Sequence, residues 1–159
     1  MGHAKDILLV IGIGNEYRSD DAVGLVAARR IRNLGLDNVE VSESDGDGAA
    51  LIEQWTEKNN VLLIDAVQSG SAPGTLHIME AGRDGIIPEN LSFSTHSFGI
   101  YYALRLAASL KMLPENIKIV GIEGYNFTSG INLCPHVVNK LPEIETLVTN
   151  EALKIRNKY

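Results

Sequence analysis

Two adjacent carboxylates, a carboxylate at the end of an apolar run and a histidine at a helix entrance are the side chains best placed to do chemistry in this chain. They are Asp20-Asp21, Asp65 and His96. Two carboxylates and one imidazole on separate elements form an unspecific metal-ligand set, able to hold nickel, zinc or iron with positions left open for substrate. Each residue also has a structural explanation. Asp20 and Asp21 follow Ser19, and first-turn acids behind a serine cap stabilise a helix dipole by about 0.3–1 kcal/mol each. Neighbours on a helix point ~100° apart, so at most one of the pair aims into a site and the other is left to brace backbone. Asp65 directly follows Val61-Leu62-Leu63-Ile64. A carboxylate there is partly buried and needs hydrogen bonds, a cation or a metal. Asx bonding towards the turn at Ser69-Gly70-Ser71-Ala72-Pro73-Gly74 is the competing role. His96, in Ser94-Thr95-His96-Ser97-Phe98-Gly99, read alone is an exposed or capping residue. His3, His77 and His136 have no comparable company and read as surface or packing residues.

Other chemistries lack their signatures. Gly12-Ile13-Gly14 begins a dinucleotide fingerprint, but Tyr17 stands at the third glycine position and acids at the helix start would repel a pyrophosphate. There is no Walker loop, no His-Glu-x-x-His helix, no Gly-x-Ser-x-Gly elbow and no evident Ser-His-Asp arrangement. Cys134 is the single cysteine, which excludes an intramolecular disulfide and a cysteine-cluster metal site.

The elements that must position these residues follow from hydrophobic periodicity. Residues 7–13, 61–64 and 117–122 are short, almost wholly apolar and rich in Ile and Val, as strands buried on both faces of a parallel sheet are. Residues 39–42 and 75–79 read as weaker strands nearer the edges. Helices are expected over 20–34, 49–58 and 97–110, and from Pro135 onward, with Pro142 kinking or restarting the last. Residues 81–95 and 123–134 read as long loops. Alternating strands and helices imply an α/β three-layer sandwich around a mostly parallel sheet. Ligands of such sheets bind beyond the carboxyl ends of the strands, the rim where the segment after strand one, Asp65 and Glu123 are all expected.

The chain has 159 residues, 45% hydrophobic and 21% charged, which fits one domain over residues 1–159 with a substantial core. A net charge of −6, with a pI near 5.2 and no Lys/Arg stripe, disfavours nucleic acid. No apolar run nears the ~20 residues of a membrane span. The opening residues 1–6 are too short and polar for a signal peptide, so the cytoplasm is the expected location.

Taken in order, Gly12-x-Gly14-Asn15, Asp20-Asp21 and Gly24, then Leu63-Ile64-Asp65-Ala66, Ala72-Pro73-Gly74-Thr75, Ser94-x-His96, Val120-Gly121 and Gly130-x-x-Leu133-x-Pro135 resemble the motifs of the hydrogenase maturation endopeptidases. Each motif is weak alone; their collinearity over residues 7–138 is specific. The resemblance implies a phosphorylase/hydrolase-like α/β/α sandwich with a twisted, mixed sheet and an aspartic-type endopeptidase activity. It implies that Asp21, Asp65 and His96 are both the metal ligands and the catalytic residues, with Asp20 at an acidic position just before the first ligand. It further implies a partner, the nickel-containing hydrogenase large-subunit precursor, which brings its own nickel and loses its C-terminal extension. Asp21 stands where glutamate is common, Ala22 where glycine is frequent, and Asn132 and Cys134 replace the usual Gly and Ser. Residues 43–48, Glu-Ser-Asp-Gly-Asp-Gly, replace a more usual Asp-Gly-Gly-Thr run. The alternatives are a hydrolase of another class, acting on a small amide or glycosidic bond, and a non-catalytic precursor-binding module.

Overall fold

In a computed structural model, which describes residues 7–86 and 97–158, five strands form one sheet in the order β2-β1-β3-β5-β4. These are β1 (Leu8–Ile13), β2 (Val39–Ser44), β3 (Asn60–Val67), β4 (Leu76–Glu80) and β5 (Asn116–Glu123). The first three and β5 run parallel, and β4 pairs antiparallel with β5 at one edge. The central strands β1 and β3 are buried along their whole length, which is why their sequences show no polar alternation. The two weaker strands are the edges, as their composition predicts. β3 is longer than its apolar run suggests: it continues to Val67, so Asp65 lies inside the strand rather than beyond its end.

Helices cover both faces. On one face α1 (Val23–Leu34) and α5 (Leu141–Arg156) close a core of Val10, Leu62, Ile64, Val120, Ile31 and Ile144. On the other, α2 (Gly48–Trp55) and α3 (Ser97–Ser109) close a core of Ile11, Leu63, Ile119, Leu51, Trp55 and Leu104. The odd-numbered residues of β3, β4 and β5 face the second core and the even-numbered ones the first, as the period of two requires. Between α4 (Pro135–Val138) and α5 the chain breaks at Asn139 and Lys140, and Pro142 falls within the first turn of α5. There its missing N–H has no intrahelical role, so the proline restarts the helix. No helix among the described residues is long and apolar enough to cross a membrane.

The helix expected from residue 20 begins later. Residues Ser19–Ala22 form a single 3-10 turn and α1 starts at Val23. Ser19 is not its cap. It sits in a left-handed conformation, φ 52°, and its hydroxyl donates to the carbonyl of Thr128 at 2.8 Å. The serine therefore joins two loops instead of closing a helix.

Candidate active site

The connections out of β1 and into β3 run to opposite sides: α1 carries the chain from β1 to β2, and α2 brings it back past β1 to β3 on the other face. The carboxyl ends of β1 and β3 therefore border the topological switch point, where a crevice opens in this class of sheet. The segment after β1 crosses this place at close quarters. A Cβ on Gly24 would stand 2.2 Å from the carbonyl oxygen of Ile13 and 2.4 Å from that of Ile64, and one on Gly14 would stand 2.2 Å from that of Asp21. The glycines that imitate a dinucleotide fingerprint thus serve to let the start of α1 lie directly on the ends of β1 and β3.

Asp21, on the turn that packs against β3, and Asp65, within β3, are both fully buried. The amide of Asn15 donates to the carbonyl of Asp21 at 3.3 Å, and the Arg18 guanidinium approaches its carboxylate at 3.9 Å. Asp65 shares the α2/α3 face of β3 with Leu63 and Val67, and its Oδ1 accepts from the amide of Ala66 at 2.8 Å. Two carboxylates withdrawn from water at the end of an otherwise apolar sheet are costly to keep there, and such cost is characteristic of sites that bind cations or move protons.

Asp20 has the other role that helix geometry leaves open. Its Oδ2 accepts from the amides of Tyr125 (2.8 Å) and Asn126 (2.9 Å), and its Oδ1 from that of Cys134 (2.7 Å). Bonds from Ser19 N to Gly130 O and from Gly130 N to Tyr17 O, both 2.9 Å, extend this clasp. Asp20 thus positions the 124–134 loop against the turn that carries Asp21. Cys134 lies in that clasp; burial pushes its thiol up, and the Asp20 carboxylate adds to the shift. It is no ready nucleophile.

His96 lies outside the described residues, one position before α3. Among the described residues no group of three His, Cys, Asp or Glu side chains could hold a metal. The 43–48 loop borders the same region: a Cβ on Gly99 in α3 would stand 1.8 Å from the carbonyl oxygen of Gly46. Within the loop, Asp47 caps α2 by accepting from Ala50 N at 2.8 Å.

Sequence reasoning missed one constellation. His77, read as a surface or packing residue, presents Nε2 to Glu123 Oε2 at 3.2 Å. Glu123 also accepts from Ser69 N, Ser69 Oγ and Gly70 N at 2.8–3.0 Å. The only available signal was that Glu123, like Asp65, ends an apolar run.

Comparison with known proteins bears on this architecture. The family model described as hydrogenase maturation protease matches residues 26–151. The hydrogenase expression/formation protein HupD of Thiocapsa roseopersicina is 28% identical over 145 residues, covering 87% of this chain and 64% of its own length. The hydrogenase 2 maturation protease of Escherichia coli K12 is 28% identical over 135 residues, covering 82% of this chain and 80% of its own. This chain thus spans somewhat less than two thirds of the HupD relative. Among solved structures, the hydrogenase maturating endopeptidase HybD from E. coli superposes with a TM-score of 0.79 at 21% identity, over 93% of each chain. The [NiFe] hydrogenase maturation protease HybD from Thermococcus kodakarensis does so at 0.72 and 19%, over 92% of this chain and 99% of that one. These likenesses establish the α/β fold. With the family model matched across most of its length, the chain belongs to the hydrogenase maturation protease family.

Proposed function

We propose that the protein is a cytoplasmic endopeptidase that removes the C-terminal extension of a nickel-loaded hydrogenase large-subunit precursor, with Asp21, Asp65 and His96 engaging the substrate's own nickel. The observation that carries this reading is the complete burial of Asp21 and Asp65 at the switch point of the sheet. Carboxylate oxygens suit a divalent first-row cation, and the His96 imidazole would complete a set with open positions. Because the metal arrives with the substrate, only loaded precursor is gripped. Docking on it holds the scissile bond in one orientation. The substrate's nickel would supply polarisation of the scissile carbonyl or activation of the attacking water; a carboxylate of the site would accept the water's proton, and the leaving amine would gain a proton as the C–N bond breaks. The Asp20 carboxylate joins the 124–134 loop to the turn that carries Asp21, and the close approach of Gly14 to the Asp21 backbone holds that turn against the end of β1.

Incubating nickel-loaded precursor with Asp21→Ala, Asp65→Ala and His96→Ala, each shown to be folded by circular dichroism, tests the reading. Each is expected to abolish the gel-mobility shift that follows loss of the extension. Normal cleavage by His96→Ala would remove the metal-docking mechanism. Precursor binding by the wild type without shortening would identify a binding module instead, and turnover of small amides or glycosides alone would identify a hydrolase of another class.

A further inference from the structure

Strand register sets Asp65, Gly121 and His77 on one line across β3, β5 and β4. All three lie on the face covered by α2 and α3, because Leu63, Ile119 and Met79, each two residues away, belong to that core. Gly121, in the middle, has no side chain. The line from Asp65 to His77 therefore crosses two strand spacings, roughly 10 Å, with no side chain of β5 standing on it. Nearer the rim, Glu123 pairs in register with Val67 and is 2% exposed.

Glu123 accepts from Ser69 N (2.9 Å), Gly70 N (3.0 Å), Ser69 Oγ (2.8 Å) and His77 Nε2 (3.2 Å). With Nε2 directed at a carboxylate that already accepts from Ser69 and Gly70, Nδ1 is the ring nitrogen turned away from Glu123. The His77 side chain is 16% exposed, against 2% for its partner. A nearly buried carboxylate behind a partly exposed ring is how an imidazole is held in one orientation and one tautomer. β4 and β5 are also paired through their backbones on both sides of His77.

We infer that His77, oriented by Glu123, is a substrate subsite that reads the precursor's extension. Its Nδ1 accepts a hydrogen bond from a side-chain N–H or O–H of a residue on the released side of the cut. At ~3.3 Å per extended residue, the ~10 Å from Asp65 to His77 corresponds to about three positions from the scissile bond. The inference rests on the protease reading. His77 acts by binding at a distance from the reacting atoms, so it affects KM and not the chemical step.

The test uses the full chain and nickel-loaded precursor, either unaltered or with the second, third or fourth residue of the extension changed to alanine. His77→Phe is expected to raise KM for the unaltered precursor about five- to tenfold, the loss of one hydrogen bond, while kcat stays within about twofold. Against one of the alanine precursors the difference between wild type and His77→Phe should collapse, because the bond is already gone. An unchanged KM, or an equal KM increase on every precursor, overturns the subsite. If His77→Phe does not fold, Glu123→Gln, which removes the orienting carboxylate, is read by the same two criteria. Failure of the wild type to cleave any precursor is a different result: it ends the protease reading, and the subsite with it.

Discussion

The Asp20 carboxylate holds three backbone amides that come from positions 125, 126 and 134. Charged acceptors of this kind contribute more than neutral ones, and their removal leaves the donors unsatisfied. Asp20→Ala is therefore expected to lower unfolding stability by about 3 kcal/mol, measured by urea titration. Activity on precursor should fall further than this loss alone explains, because the clasp adjoins Asp21. That one aspartate of the pair would brace backbone was legible from the 100° angle between helical neighbours, although the turn turned out to be 3-10 rather than α-helical. The burial of Asp65 was legible because the residue directly follows an apolar run. The His77–Glu123 pair was not. Its members are 46 residues apart, and only the antiparallel pairing of β4 with β5 brings them together.

At the scale of elements, α1 is tied to β2 by charge as well as by packing. Arg29 donates to Glu43 through Nε and Nη2, at 3.1 and 2.8 Å, and reaches Glu16 at 3.4 Å. The Arg29 hydrogen bond holds the Glu43 carboxyl below the usual carboxylate range, against a smaller opposing effect of burial. A depressed folded-state pKa stabilises above the unfolded value and ceases to do so as pH falls through the folded one. Arg29→Met should thus cost less than about 1 kcal/mol at pH 7, since the pair is partly exposed. Wild type and variant should converge in parallel denaturant titrations as pH falls below the usual carboxylate range and Glu43 becomes protonated in the folded state. Of the arginines in the second half of α1, Arg32 lies in the last turn, which suits the helix dipole. Which carboxylates they meet depends on β2 lying beside β1, and no local periodicity encodes that neighbour.

The two cores of the molecule share the same strands, so neither helical layer can detach without exposing the other's floor. Trp55, the only tryptophan, is fully buried in the α2/α3 core. Its fluorescence and the far-ultraviolet circular dichroism of the whole chain should therefore give coincident denaturation midpoints. Separate midpoints would show that the layers unfold independently. The layered architecture itself was readable from alternating apolar runs and helical periods. The order β2-β1-β3-β5-β4, which puts the topological switch between β1 and β3, was not, because it is decided by which face each crossover takes. The backbones at Gly46 and Gly99 meet so closely that neither a methyl group on residue 99 nor a bulkier bend at residue 46 has room. Transplanting residues 43–48 from a relative would therefore succeed only as a matched exchange with the start of α3, because the two backbones share one contact.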